Sequence, residues 1–138
     1  MHAHNYHQLN LARSFGKNIG IAFQIKDDLL DFDLSSASGK EKFKDFSEGK
    51  YTLPLIIALS GLSGESKKLI DVKFGRKLTK LQKEDIYSDM CSANAIRKCE
   101  NILGQYIELA QQAVKQLQKN MDCNELNELI GYSSIRSL

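Results

Sequence analysis

Apolar residues fall three and four apart between residues 9 and 32, with Ala22, Ile25, Leu29 and Phe32 on one stripe. That is the period of an α-helix with one buried face. Gly16 and Gly20 lie inside the pattern, where each weakens a helix relative to alanine. They are expected to allow close packing or ligand approach rather than to end the helix. Residues 33–51, DLSSASGKEKFKDFSEGKY, lose the period and collect serine, glycine and lysine, which predicts an exposed, mobile loop long enough to be a lid or a binding loop. Thr52 then offers a cap and Pro54 a first turn for a new helix. Its apolar body, Leu53, Leu55, Ile56, Ile57 and Leu59, should be buried.

Gly61 and Gly64 close that element, and the next predicted helix is short, amphipathic and broken near Gly75. Thr79 is a candidate cap for a helix with Leu81, Ile86 and Met90 in the core. The cleanest period runs over residues 92–120, through Ile96, Cys99, Leu103, Tyr106, Ala110, Ala113, Val114 and Leu117. A last segment, residues 123–138, adds Leu126, Leu129, Ile130 and Ile135. No alternating strand pattern and no internal repeat appears, so the predicted class is all-α, with residues 1–138 as a single helical domain of ordinary size.

Composition changes this picture little. The chain is 42% hydrophobic and 26% charged, with one proline and nine glycines, a globular balance. A formal net charge of +2 is too small to argue for nucleic acid or an anionic membrane surface. No apolar run reaches the roughly 18 residues of a membrane-spanning helix. The segment MHAHNYHQ has no signal-peptide pattern, and its His2, His4 and His7 are expected to be solvated. Cys91, Cys99 and Cys123 form no CxxC pair, so they read as reduced thiols of a cytoplasmic protein.

The chemistry concentrates on the first helix. At about 3.6 residues per turn, Gln24, Asp27, Asp28 and Asp31 project from one face. Three carboxylates within two turns repel one another, an arrangement eased by a cation among them. Magnesium suits such oxygen donors and completes its shell with waters and phosphates. Spacing alone is equally compatible with a solvated acidic face. Lys40, Lys42, Lys44 and Lys50 follow in the loop and offer ammonium groups to the same anion, Lys40 and Lys50 before the other two. Metal on one side and lysine on the other neutralise the charge that develops on a diphosphate leaving group.

The segment Gly20-Ile21-Ala22-Phe23-Gln24-Ile25-Lys26-Asp27-Asp28-Leu29-Leu30-Asp31 resembles the second aspartate-rich motif of the polyprenyl synthetases, the trans-isoprenyl diphosphate synthases. Gly39-Lys40, Asp45, Gly49-Lys50 and Thr52-Leu53-Pro54 resemble the loop that follows it in that family. The weaker resemblance continues to Arg136, where members often end in a basic residue. It implies the C-terminal portion of the isoprenoid synthase helical fold, with its central cavity and magnesium ions around an allylic diphosphate. Asp27, Asp28 and Lys40 would be catalytic, and Asp27, Asp28 and Asp31 would hold metal, Asp27 foremost. Phe23, Gln24, Lys40 and Lys50 would bind substrate, Phe23 being equally suited to a core position.

In such enzymes an allylic prenyl diphosphate ionises, isopentenyl diphosphate attacks, and proton loss leaves a trans chain five carbons longer. Two positions depart from the family pattern: Phe43 stands where a glycine is usual, and Phe46 where leucine is. The first aspartate-rich motif and the rest of the N-terminal half are absent from these residues, which implies a half-site. Partners implied by the resemblance are the two diphosphates and a second copy in a homodimer, or a separate N-terminal half. The competing reading is a noncatalytic diphosphate-binding or regulatory subunit.

Overall fold

The computed structural model describes the backbone at residues 2–34, 41–119 and 121–134, with side chains from Tyr6 onward. Among these residues every regular element is helical: α1 (His2–Phe32), α2 (Lys44–Ser47), α3 (Leu53–Gly61), α4 (Gly64–Lys73), α5 (Lys80–Ser92), α6 (Ala95–Leu117) and α7 (Asn124–Ser133). They divide into two compact units, Asp27–Glu100 and the residues up to Lys26 with those from Asn101 onward.

The unit Asp27–Glu100 is built around Phe32, Phe43, Phe46, Leu55, Ala58, Ile70, Ile86, Met90 and Ala95, all within 1% of full burial. Helix α5 packs against α3 and α4. Its start is set by a capping box: the Thr79 hydroxyl accepts from the Gln82 amide at 3.2 Å, and the Gln82 side chain accepts from the Thr79 amide at 3.0 Å. Chain reversal after α4 uses Gly75 at φ 81°, a conformation a side chain disfavours.

The other unit buries Phe15, Ile19, Ala22 and Ile25 of α1 with Leu103, Ile107, Ala110, Ala113, Val114 and Leu117 of α6. Lys26 donates its ammonium to the Tyr132 carbonyl in the last turn of α7. That carbonyl has no partner within its own helix, so the lysine both satisfies it and meets the negative end of the helix dipole.

Several expectations are corrected. Gly16 and Gly20 are exposed, with nothing within 4 Å of where a Cβ would stand, so among the described residues they serve no close packing. The stretch after α1 is not all exposed loop: residues 43–47 turn inward because Phe43 and Phe46 are fully buried. Leu81 is 66% exposed and Ile56 50% exposed rather than core, each lying on the outer side of a helix that already buries one stripe. The long helix begins at Ala95, not at residue 92, because Asn94 adopts a left-handed turn at φ 57°. Of the histidines, His7 is exposed. Side chains of His2 and His4 lie outside the described residues, as do residues Ile135 and Arg136. No helix among the described residues is long and apolar enough to cross a membrane.

Candidate functional site

The last two turns of α1 carry Asp27, Asp28 and Asp31 in graded burial. Asp27 is exposed, Asp28 is 7% exposed and Asp31 is fully buried. The grading follows helix geometry, since Asp28 and Asp31 flank Leu29 and Phe32 of the buried stripe while Asp27 lies on the far edge. Burying a carboxylate is costly unless hydrogen bonds compensate it, and here backbone amides supply them. Asp31 Oδ1 accepts from the Lys44 amide at 2.9 Å and the Asp45 amide at 3.4 Å. Asp28 Oδ2 accepts from the Leu53 amide at 3.5 Å. These amides open α2 and α3, so two of the three acids sit at helix N-termini, where negative charge is favoured.

The lysines around the acidic turns are used unequally. Lys42 donates to the Leu30 carbonyl at 2.8 Å, capping the C-terminal end of α1. Lys44 is exposed. Lys50 stands 3.1 Å from Glu48 and 3.9 Å from Asp45. The hydrogen bond and charge of Glu48, with a smaller push from Asp45, raise the Lys50 pKa and keep it cationic, and Glu48 is lowered in return. An ion pair this exposed is weak, so Lys50 can exchange Glu48 for another anion. Lys40 lies outside the described residues.

Gln24 and Phe23, earlier on α1, are both exposed, Phe23 at 39%. Phe23 is therefore not a core residue of its unit. Thr52 precedes α3 without capping it: its hydroxyl is buried and has no hydrogen-bond partner among the described residues. Pro54 explains part of this, because it removes one of the two amides that a cap at Thr52 would satisfy. Behind the acids, burial together with the charges of Asp28 and Glu100 pushes the Cys99 thiol up to about 12, so it remains protonated and inert.

Among the described residues no three histidine, cysteine or acidic side chains converge on a point that a metal could occupy. A closed protein cage for a metal, which structural zinc requires, is thus not formed by Asp27, Asp28 and Asp31. Magnesium is different: it is ordinarily held by one or two carboxylates, with waters and phosphate oxygens filling the octahedron. An exposed Asp27 beside a nearly buried Asp28 fits that demand in ligand type and number. Reasoning from spacing missed the roles of the Lys44, Asp45 and Leu53 amides, since backbone donors leave no mark on a pattern of side chains.

Residues 1–90 match the Polyprenyl synthetase family. The chain is 33% identical over 117 residues to a prenyl transferase of Cyanidium caldarium, covering 84% of this chain and 35% of that protein. It is 32% identical over 124 residues to a geranylgeranyl diphosphate synthase of Sulfolobus acidocaldarius, covering 86% of this chain and 36% of the relative. In three dimensions it is similar to a geranylgeranyl pyrophosphate synthase from Corynebacterium glutamicum, solved in complex with isoprenyl diphosphate and magnesium. The TM-score is 0.79 at 27% identity, over 94% of this chain and 38% of that one. The fold is therefore that of the isoprenoid synthases, of which the chain spans little more than a third.

Proposed function

The chain belongs to the polyprenyl synthetase family, and we propose that it forms the part of a trans-prenyl diphosphate synthase that binds an allylic prenyl diphosphate through magnesium. One observation carries the proposal: the acidic end of α1 and the lysine-bearing segment after it are tied together by hydrogen bonds from the Lys44 and Asp45 amides to Asp31. That tie supports the reading, because Asp27, Asp28, Asp31 and Lys50 all fall within one compact unit.

On this reading Asp27 is the principal magnesium ligand, with Asp28 and Asp31 adding negative field from the same helix end. Bound magnesium would supply Lewis-acid neutralisation of the diphosphate. Lys50 exchanges its partner Glu48 for a diphosphate oxygen, and Lys40 takes the same role. Gln24 hydrogen-bonds near the diphosphate, and the exposed ring of Phe23 faces the prenyl chain. Breaking the allylic C–O bond moves its electron pair onto the diphosphate, where the lysines stabilise it. The resulting allylic cation is attacked by the double bond of isopentenyl diphosphate. Transfer of a proton from the new cation to the released diphosphate then restores a double bond and leaves a prenyl diphosphate longer by five carbons.

The chain spans about a third of the relatives it matches, and the site for isopentenyl diphosphate is assigned to the remainder of such an enzyme. We take residues 1–138 as one helical domain that works with that remainder, in a homodimer or beside a separate N-terminal half. The three free thiols fit a reducing compartment and support a cytoplasmic location.

The test is turnover. Purified chain with magnesium, isopentenyl diphosphate and farnesyl diphosphate should give no elongated product by itself, and should give product once the N-terminal half of a family member is added. Product formation should disappear with Asp27→Ala. Silence in both mixtures would instead favour a noncatalytic diphosphate-binding or regulatory subunit.

A further inference from the structure

Asp31 accepts hydrogen bonds from three successive residues among those described. Its main-chain carbonyl accepts from the Phe43 amide at 2.7 Å, and its Oδ1 accepts from the Lys44 and Asp45 amides. The helix so capped, α2, has four residues, far fewer than a helix needs to hold itself in water. Its geometry must come from outside, and Asp31 is where it is fastened.

The consequences run along the chain to Lys50. The Lys50 amide returns to the Asp45 carbonyl at 2.9 Å, and Gly49 makes the necessary reversal at φ 77°. Alongside, ring contacts run in sequence from Phe32 to Phe43, Phe46, Phe74 and Tyr51, with centroids 4.4–5.8 Å apart. The first three pairs pack edge-on, which holds rings in defined orientations. Lys50 therefore leaves a framework anchored at one end by Asp31.

We propose that Asp31 is a positioning residue, which spends its carboxylate on α2 and through α2 sets the place of Lys50, and that it is not a magnesium ligand. This deepens the diphosphate-site reading and rests on it for the role of Lys50. Turning Oδ1 toward a metal would strip two helix N-terminal amides of their acceptor, and the whole Asp31 side chain is buried whereas Asp27 is exposed. The regular spacing of charge on the helix face thus conceals two different occupations, one turned to ligand and one to the protein's own backbone.

Backbone amide exchange in the full chain, read by NMR, tests this without relying on diphosphate binding. Asp31→Ala should speed exchange at Lys44 and Asp45 by about tenfold, while Asp31→Asn, whose side-chain oxygen still accepts, should stay within about threefold of wild type. Adding magnesium with inorganic pyrophosphate should leave both amides protected. Unchanged exchange in Asp31→Ala, or release of the two amides by magnesium, would overturn the proposal.

If Asp31→Ala does not fold, the asparagine variant and the magnesium arm still decide. In calorimetry, Asp27→Asn should raise the magnesium concentration for half-maximal pyrophosphate binding several-fold more than Asp31→Asn, which removes negative field and no ligand. An equal rise in both would make Asp31 a ligand after all. A wild-type chain that binds no pyrophosphate would remove the diphosphate reading, and the exchange rates would then alone settle what Asp31 holds.

Discussion

Phe43 combines two features that rarely coincide. Its backbone sits at φ 61°, in the left-handed region, and its ring is fully buried against Phe32 and Phe46. The left-handed conformation costs a side chain roughly 1–2 kcal/mol, and loss of a buried phenylalanine ring costs roughly 3–5 kcal/mol. Ring burial wins, which explains why phenylalanine is sustained where the family pattern has glycine. The prediction is a reversed order of the small residues. Phe43→Ala should lower unfolding stability by about 3–4 kcal/mol, and Phe43→Gly should be about 1 kcal/mol more stable than Phe43→Ala. Urea denaturation measures both, and Phe43→Gly less stable than Phe43→Ala would show that the backbone there is unstrained.

At the same scale, the sequence places three carboxylates near one helix end and leaves open what surrounds each of them. The spacing of Asp27, Asp28 and Asp31 announces a shared helix end. Nothing in it distinguishes an exposed Asp27 from an Asp31 held by the Lys44 and Asp45 amides, because the distinction is made by residues thirteen and fourteen positions away. Lys42 shows the same limit: it offers a cation in the sequence and spends it on the Leu30 carbonyl in the fold.

Among elements, α6 and the part of α1 from Leu9 onward are legible from their apolar period, although α1 starts earlier, at His2, and α5 is announced by its candidate cap Thr79. In α5 the signal at its start agrees with the burial of Ile86 and Met90, which is the consistency that makes a segment predictable. Helix α2 is illegible for the opposite reason, since four residues carry no period and the element exists only through Asp31 and two buried rings. Exposed Leu81 and Ile56 mark a further limit, as a helix segment can carry more apolar residues than its neighbours can cover.

Helix α7 depends on an outside contact at its C-terminal end, where Lys26 donates to the Tyr132 carbonyl. Partial burial of Lys26 lowers its pKa, but the hydrogen bond retains it as a donor. A bond from a charged donor at a partly exposed site contributes on the order of 1 kcal/mol. Lys26→Met, which keeps the apolar stem, should therefore speed amide exchange in the last turn of α7 by about fivefold while leaving α5 unaffected. Equal acceleration in α5 would mean that the substitution unfolds the chain and does not free one helix end.

Over the whole molecule the charge is near balance, and the features on which the proposed function rests are local: an acidic helix end, an anchored loop and a lysine held by a weak pair. The chain spans about a third of its relatives, so its own residues are asked to account for binding and not for complete turnover. The most direct measurement is calorimetric titration of the chain with farnesyl diphosphate, with and without magnesium, for wild type and Asp27→Ala. The account predicts that binding appears only with magnesium and weakens by at least about tenfold in Asp27→Ala, a difference of about 1.4 kcal/mol. Binding that is equally tight without magnesium, or unchanged in Asp27→Ala, would contradict it.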